Sequence, residues 1–250
     1  MQESNFDATE PDSQLGGTTA GVDDQGRSEE PLNRAIDAFA AGQPVLIHDA
    51  ADREGETDIV YPAGAIDPSA VAQLRMDAGG LICVAVSDTV ARAFGLPFLE
   101  ETIEHPSADG GPLAYGERSS FSLPVNHRET FTGITDADRA LTITELAAAA
   151  DRAARSPAEY DPESFANSFR SPGHVHLLRG APELLSDRRG HTELGLALAA
   201  AAEQPPAVVV CEMLDATTGA ARTPEDARAY AEANGLVYVE GATIVDRLWQ

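Results

Sequence analysis

The sequence predicts a single domain of α+β, α/β-like architecture, in which helices pack on a mixed β-sheet. Continuous apolar runs such as LICVAVS and AVVVCEML are typical of buried strands. They alternate along the chain with segments whose apolar residues recur at helical spacing, and this alternation favours helices packed on a sheet. The chain has 250 residues, of which 43% are hydrophobic, and this suffices for one sizeable core.

The N-terminal residues 1–29 are polar and rich in Gly, Asp and Gln, so we predict a disordered tail ahead of a domain at 30–250. The first helix is expected to start near Pro31 and to end at Gly42, which is a helix stop signal. The other elements predicted in the first half are strands at 44–49, 58–63 and 81–87, and helices at 68–77 and 88–94.

Residues 95–118 hold many Gly, Pro and acidic residues and are predicted to form a long loop. A loop of that length in a compact domain is more often functional than decorative. The elements predicted after it are strands at 119–125, 174–178, 207–214 and 237–239, and helices at 136–154, 191–203, 224–233 and 242–249. Thr223 before Pro224 is a good helix start, and Gly235 is a good helix stop.

The net charge of −24 is extreme, and all 17 basic residues are Arg. Such a surface repels nucleic acid and anionic membranes, so neither is expected as a partner. It suits solubility in concentrated salt, and a halophilic source is therefore a reasonable hypothesis. Because the chain has no Lys, no side chain can form a Schiff base with a carbonyl substrate.

The two cysteines, Cys83 and Cys211, lie far apart in apolar strands. They cannot supply a zinc site of several thiolates, and they imply no disulfide framework. A cytoplasmic location is therefore expected. The sequence has no apolar segment long enough to span a bilayer and no signal peptide.

The segment DREGETD carries four carboxylates, those of Asp52, Glu54, Glu56 and Asp58, together with Arg53. It is predicted to form a short loop between two strands. Crowded carboxylates repel each other, and a bound cation would relieve the repulsion. Hard oxygen ligands on a flexible loop suit Mg²⁺. The alternative is a solvated acidic turn.

The segment DRRGHTELG, at residues 187–195, is predicted to open a helix. A helix N-terminus binds phosphate through its free N–H groups, and Arg188 and Thr192 would add polar contacts. His191 could instead ligate a metal as a neutral imidazole. The alternative is a capped helix start with a solvated Arg pair.

Two further segments are less specific. His174 and His176 follow a Pro-Gly turn and lie on the same side of a strand, where histidines are more often structural than catalytic. Thr132 and the glycine after it could present N–H groups to an anion beside the carboxylate of Asp136. Helix capping is the alternative for this second segment.

Glu212 is a charged residue inside an apolar strand, where a carboxylate needs a partner, and this favours a functional role. Cys83 also lies in an apolar strand. On composition alone, Cys83 is best interpreted as a small core residue.

Seven motifs occur in order along residues 30–249, and they are DREGETD, LIC, AYG, TGIT with a following DR, RSPGHV, R-x-GHTE and CEM. Together they resemble the 3,4-dihydroxy-2-butanone-4-phosphate synthase family of riboflavin biosynthesis. The resemblance implies a three-layer α-β-α sandwich with a mixed sheet. It also implies conversion of D-ribulose 5-phosphate into L-3,4-dihydroxy-2-butanone 4-phosphate and formate. Mg²⁺ or Mn²⁺ would be the cofactor, with two ions per site, and the enzyme would be a homodimer with sites near the interface.

The resemblance also implies roles for individual residues. The metal ligands would be Glu54 and His191. The catalytic residues would be Glu56, Asp58, Cys83, His174 and Glu212. The substrate-binding residues would be Arg53, Asp58, Thr132, Asp136, Arg188, Gly190, Thr192 and Glu212. Of these, Arg188, Gly190 and Thr192 would hold the phosphate, and His174 would serve the partner's site.

The chain departs from the bacterial pattern at four positions, Gly55, Thr57, Ser171 and His176. The carboxylates of the first motif keep their positions. The sequence lacks the cluster of Cys residues that a fused zinc-dependent enzyme would need, so a monofunctional protein is expected. Alternative functions are another phosphosugar reaction, such as an isomerase or dehydratase, a nucleotide- or RNA-linked binding module, and an acidic scaffold. The charge disfavours the binding module.

Overall fold

The computed structural model describes residues 24–108, 111–114 and 116–249. Its strands are β1 (Val45–His48), β2 (Thr57–Pro62), β3 (Cys83–Val86), β4 (Phe121–His127), β5 (Phe169–Arg179), β6 (Ala207–Glu212) and β7 (Val237–Glu240). Its helices are α1 (Asp24–Ala40), α2 (Pro68–Gln73), α3 (Asp88–Ala93), α4 (Asp136–Arg155), α5 (Pro162–Ser168), α6 (His191–Ala201), α7 (Pro224–Asn234) and α8 (Gly241–Leu248).

The described strands form one seven-stranded sheet in the order β4-β5-β3-β6-β2-β1-β7. The sheet is mixed, because β3 pairs with β5 and β1 with β7 in parallel, whereas the other neighbours are antiparallel. The antiparallel register of β2 and β6 places Asp58 opposite Glu212. The predicted mixed sheet is confirmed, and two acidic residues face each other at the end of its central strands.

Side chains alternate between the two faces of the sheet, as the pleat requires. Val45 and Ile47 of β1 lie in a core with α1, α6 and α8, whereas Leu46 between them lies in the core that holds α2, α3, α4 and α7. Both faces of the sheet are therefore covered by helices. The continuous apolar strands of the sequence follow from this, and the three-layer α-β-α sandwich is confirmed.

Helix α6 packs directly on the central strands and is buried on nearly all sides. Gly195 makes this close packing possible, because a Cβ atom there would lie 3.0 Å from Val208 and 3.2 Å from Val60. A larger side chain would push the helix away from the sheet. The close fit brings the N-terminus of α6 to the sheet end where Asp58 and Glu212 lie.

The structure corrects several predicted boundaries. Helix α1 begins at Asp24, so residues 24–29 of the predicted tail are helical, and residues 1–23 lie outside the described residues. The predicted helix 68–77 is α2 followed by a π-turn at Leu74–Ala78. The predicted long loop is irregular with one short 3₁₀ turn, and its residues 109, 110 and 115 lie outside the described residues.

The sequence prediction assigns no helix or strand between the helix at 136–154 and the strand at 174–178, but this segment contains α5 and the first half of β5. Helix α5 begins with a capping box in which Asp161 accepts from the backbone of Ser164 and the Ser164 hydroxyl accepts in return. Strand β5 continues through Gly173, where a Cβ atom would overlap the backbone of Val125. Proline and glycine in this segment concealed both elements from sequence interpretation.

No helix within the described residues combines the length and the apolar character that crossing a bilayer requires.

Leu198 of α6 is fully buried, so it provides a direct test of this core. We expect Leu198→Ala to lower the free energy of unfolding by about 2–5 kcal/mol, because it leaves a cavity between α6 and the sheet. The matched control Leu198→Met keeps the volume and should lose less than about 1.5 kcal/mol. Urea denaturation measures both. Equal losses in the two variants would contradict the tight packing of α6.

Candidate active site

One cavity lies where the ends of the central strands meet the N-terminus of α6. It brings together eight residues that the sequence singled out, and these are Arg53, Glu54, Asp58, Cys83, Arg188, His191, Thr192 and Glu212. They come from the β1–β2 loop, from β2, β3 and β6, and from the segment that opens α6. The two most informative sequence motifs therefore meet at one place.

The loop between β1 and β2 is folded around Asp49, a buried residue that sequence analysis missed. Its carboxylate accepts from Arg53 Nη1 at 2.9 Å, from the Glu56 N–H at 3.0 Å and from the Glu54 N–H at 3.4 Å. Three contacts to one carboxylate fix the loop in place. The only available signal was the position of Asp49 directly after a buried strand.

The sequence prediction counts Asp58 among the loop carboxylates and also as the first residue of the strand at 58–63, and the structure places it in the strand. Asp58 lies in β2, is 2% exposed, and pairs in register with Glu212 of β6. Apolar residues surround the strand on both faces, so the carboxylate has little solvent. Its charge must be balanced by neighbouring groups.

A candidate metal centre lies beside Asp58. Ligand atoms of Asp49, Glu54 and His191 all lie within 4.8 Å of one another. His191 Nδ1 is 3.4 Å from Glu54 Oε2 and 3.6 Å from Asp58 Oδ1. Within the described part of the chain, His191 Nε2 and Asp58 Oδ1 are buried without a hydrogen-bond partner. Buried polar atoms left unpaired in this way are suited to a cation.

The electrostatics of the cluster also favour a cation. Burial, followed by the neighbouring carboxylates, raises the pKa of Asp58, although His191 opposes the shift. Burial acts to lower the pKa of His191, but Asp58 and Glu54 outweigh it, and the pKa is raised. Burial and the Glu54 and Glu212 carboxylates raise the pKa of Glu56. The shift of His191 shows that the surrounding carboxylates create a negative potential, and such a potential attracts protons or metal ions.

Glu212 closes the opposite side of the cavity at the end of β6. The Leu81 N–H donates to Glu212 Oε2 at 2.8 Å. A Cβ atom on Gly80 would lie 2.4 Å from the same oxygen, so this turn needs glycine. Cys83 lies on β3 beside it, where burial and then the Glu212 carboxylate raise the pKa of the thiol. Cys83 therefore lines the cavity, as the resemblance implied, and it does so as a neutral thiol.

The N-terminus of α6 forms the cationic side of the site. Gly190 is the N-cap and offers no side-chain cap, and among the helix N–H groups the Glu193 carboxylate engages only its own, so the N–H groups that precede Glu193 can face a ligand. A Cβ atom on Gly190 would lie 2.5 Å from Arg53 Nη2, and glycine therefore lets this guanidinium approach the helix end. Arg188 and Thr192 line the same cavity. Together these groups suit a phosphate.

Glu117, at the end of the long loop, was also missed by sequence analysis. It lies between the two guanidiniums, accepting from Arg53 Nη2 at 2.9 Å and from Arg188 Nε at 2.7 Å. The Arg188 side chain also donates to the Ser120 hydroxyl. No sequence pattern connects a lone loop carboxylate with arginines that far away.

Three residues that the resemblance placed in the substrate pocket lie elsewhere in this chain. Asp136 is paired with Arg75 at 3.1 Å and with Arg139 at 2.9 Å. The Thr132 hydroxyl and N–H both donate to a nearby aspartate at the start of α4. The His174 N–H donates to an asparagine of β4 at 2.8 Å. None of these three is among the residues that line the cavity.

Comparison with known proteins places this site in one family. The family model for 3,4-dihydroxy-2-butanone 4-phosphate synthase matches residues 33–247. Proteins of that name from Archaeoglobus fulgidus and Methanosarcina mazei are 48% and 44% identical to the chain. The alignment with the Archaeoglobus protein covers 86% of this chain and 92% of the relative. The alignment with the Methanosarcina protein covers 89% of this chain and 93% of the relative.

Solved structures of 3,4-dihydroxy-2-butanone 4-phosphate synthases are also similar to this chain. The Candida albicans enzyme of that name aligns with a TM-score of 0.69 at 28% identity, over 88% of this chain and 98% of that one. A structure of such a synthase in complex with two magnesium ions also has a TM-score of 0.69, at 26% identity, over 87% and 95% of the chains. With its sheet, its cavity and these relatives in agreement, the chain belongs to the 3,4-dihydroxy-2-butanone 4-phosphate synthase family of riboflavin biosynthesis.

Proposed function

We propose that this enzyme converts D-ribulose 5-phosphate into L-3,4-dihydroxy-2-butanone 4-phosphate and formate, with Mg²⁺ held by Glu54 and His191. One observation carries the proposal. A single cavity joins a cluster of carboxylates and a histidine to an arginine pair at a helix N-terminus. The first group suits a divalent cation and the second suits a phosphate, so a phosphosugar can contact both at once.

The residues present fit a divalent cation, because His191 Nδ1 faces Glu54 at 3.4 Å and, at 3.6 Å, the buried Asp58 Oδ1, which has no hydrogen-bond partner within the described residues. Glu54 and His191 are the proposed ligands, and Asp49 holds the loop that carries Glu54. A bound Mg²⁺ or Mn²⁺ supplies a Lewis acid that polarises ketone and hydroxyl oxygens. Two ions per site are proposed, and the relative with two magnesium ions supports that number.

The phosphate is proposed to bind at the start of α6. Arg53 and Arg188 offer charged donors, and the uncapped N–H groups at Gly190 and the Thr192 hydroxyl add neutral ones. This anchoring places the carbon chain of the sugar toward β2 and β6. The fixed orientation brings the reacting carbons to the carboxylates at the strand ends.

Proton transfer is assigned to the carboxylates. Burial raises the pKa of Asp58, and the cation proposed beside it would favour the ionised form, so Asp58 is proposed as a group that exchanges protons with the substrate. Glu56, also with a raised pKa, and Glu212 flank it. The neutral Cys83 thiol contacts the sugar without acting as a base. With no Lys in the chain, acid–base groups and the cation carry the carbonyl chemistry.

A homodimer is proposed on the evidence of an exposed apolar surface formed by Met76, Leu81, Phe131 and Ile134, of which Phe131 is 93% exposed and Met76 71%. The ion pair between Arg75 and Asp136 brings the two segments that carry these residues side by side. A second copy covering this surface would bury them. Thr132, Asp136 and His174 border the same edge and are proposed to serve the partner's site.

The charge of −24 supports a salt-rich cytoplasm as the working environment. The two thiols are free and buried, which agrees with a reducing compartment. Dense ions screen the repulsion among surface carboxylates, and turnover is therefore expected to increase between low and molar KCl. An unchanged or falling turnover would contradict this part of the proposal.

Formate release tests the reaction. We expect purified protein with ribulose 5-phosphate and Mg²⁺ to release formate, and EDTA to abolish the release. Glu54→Gln removes a ligand charge but no core packing, so turnover should fall at least about a hundred-fold with an unchanged melting temperature. Glu101→Gln, on the long loop, is the control and should keep full turnover. Normal formate release by Glu54→Gln would refute the metal assignment.

The phosphate position is tested by Arg188→Ala against its exposed neighbour Arg189→Ala. Loss of a charge-assisted contact costs about 1.5–3 kcal/mol, so KM for ribulose 5-phosphate should rise about ten- to a hundred-fold in the first variant. Arg189→Ala should change KM less than about threefold, because it removes similar charge without this contact. Steady-state kinetics measures both. Equal increases in KM in the two variants would indicate that the arginines attract the substrate at long range and that Arg188 makes no specific contact with the phosphate.

The dimer is tested by Phe131→Arg, with Ile103→Arg in the long loop as the control. Placing a charge on the apolar surface should weaken association at least about tenfold, whereas the control should associate as the unmodified chain does. Sedimentation velocity across a concentration series gives the dissociation constants. A monomeric unmodified chain, or a Phe131→Arg variant that associates normally, would contradict this surface as the interface.

A further inference from the structure

Glu117 has no role in the function proposed above, yet its carboxylate lies at the centre of the cationic half of the site. It accepts from Arg53 Nη2 at 2.9 Å, from Arg53 Nε at 3.2 Å and from Arg188 Nε at 2.7 Å. Its side chain is 31% exposed, whereas those of Arg53 and Arg188 are 8% and 15% exposed. The anion is therefore the most accessible member of the group.

Arg53 does not depend on Glu117 for its position. Its Nη1 donates to Asp49 at 2.9 Å and lies 3.2 Å from Glu54. The Asp49 carboxylate is fully buried, and it also binds the backbone of the β1–β2 loop. These contacts fix the guanidinium from the side opposite to Glu117.

Arg188 is likewise held from a second direction. Its Nη1 donates to the Ser120 hydroxyl and lies 3.8 Å from the buried carboxylate of Glu193. Glu193 is itself fixed, because the Ala181 N–H donates to its other oxygen at 3.1 Å. Both guanidiniums thus keep support when the Glu117 carboxylate leaves.

A carboxylate between two guanidiniums has the charge sign and the oxygen geometry of a phosphate in the same place. Burial acts to raise the pKa of Glu117, but the hydrogen bonds and charges of Arg53 and Arg188 outweigh it, and the pKa is lowered. The side chain is therefore an anion at neutral pH. It meets the same two guanidiniums that the proposed function assigns to the substrate.

We propose that Glu117 is an internal anion that occupies the Arg53–Arg188 position in the free enzyme and is exchanged for the phosphate of the substrate. This inference rests on the proposed phosphate position. Displacing a tethered carboxylate lowers the apparent affinity for every external anion. The competition lowers all these affinities by the same factor. A dianionic phosphate still binds through its second charge and the N–H groups of α6, whereas a weakly bound monoanionic carboxylate does not reach significant occupancy. Glu117 therefore acts as a threshold that keeps weakly bound anions out of the phosphate position.

The test uses inorganic phosphate as the probe, with calorimetric titration of the full chain at low ionic strength. Removing the competitor in Glu117→Gln should lower the phosphate dissociation constant at least about threefold and should lower KM for ribulose 5-phosphate in the same direction. Glu117→Ala should act likewise. Glu101→Gln is the matched control, since Glu101 pairs with Arg118 at 3.2 Å on the same loop, and it should bind phosphate as the unmodified chain does.

Acetate binding tests whether the competition acts on every anion. The unmodified chain should bind acetate much more weakly than phosphate, and Glu117→Gln should strengthen the binding of both anions by a similar factor. Weaker phosphate binding by Glu117→Gln would overturn the inference, because it would make Glu117 a support for the arginines. Unchanged binding would overturn it as well, since no competition would then exist.

Arg188→Ala separates failure of this inference from failure of the proposed function. If the unmodified chain binds phosphate and Arg188→Ala does not, the phosphate position is correct, and the Glu117 variants alone decide the inference. If Arg188→Ala binds phosphate normally, the phosphate position is wrong and the exchange at Glu117 is wrong with it.

Discussion

Repulsion among crowded carboxylates, of which Asp58 is buried and the others are half-buried, is the constraint on which the rest of the site depends. Asp58 and Glu212 face each other across β2 and β6, and Glu54 and Glu56 approach them from the β1–β2 loop. Nothing in an apolar sheet compensates such charge. The fold therefore has to supply a cationic partner at the same place, and it does so with Arg53, with the N-terminus of α6 and with ligands suited to a divalent ion.

Helix α6 connects the packing of the protein with its chemistry. Its apolar body lies on the sheet, at a distance set by Gly195. Its first turn carries His191 to within 3.6 Å of Asp58, and Gly190 leaves room there for the Arg53 guanidinium. Gly195 thus sets the distance between α6 and the strands, and Gly190 sets the distance between the N-terminus of α6 and the Arg53 guanidinium. Tight core packing and the placement of functional groups are consequences of the same helix position.

Sequence reasoning predicted those parts of the site that follow local patterns. The acidic loop between two strands and the GHTE helix start were both recognisable, because turn residues and hydrophobic periodicity mark them. Asp49 and Glu117 were missed because their importance lies in contacts and not in a pattern, and the bond from Arg53 to Glu117 spans 64 residues. Asp58 was counted among the loop carboxylates although a strand was predicted to begin there, since the sequence alone does not show on which side of a boundary such a residue lies.

The raised pKa of the Cys83 thiol has a consequence for the durability of the enzyme. Sugars with free carbonyl groups modify proteins by glycation, chiefly at amines and thiolates. This chain has no Lys, and burial keeps both Cys83 and Cys211 protonated. Arginine guanidiniums remain, and the one nearest the strand ends, Arg53, is enclosed by carboxylates. Among the residues that line the cavity, no side chain therefore offers an amine or a thiolate for glycation.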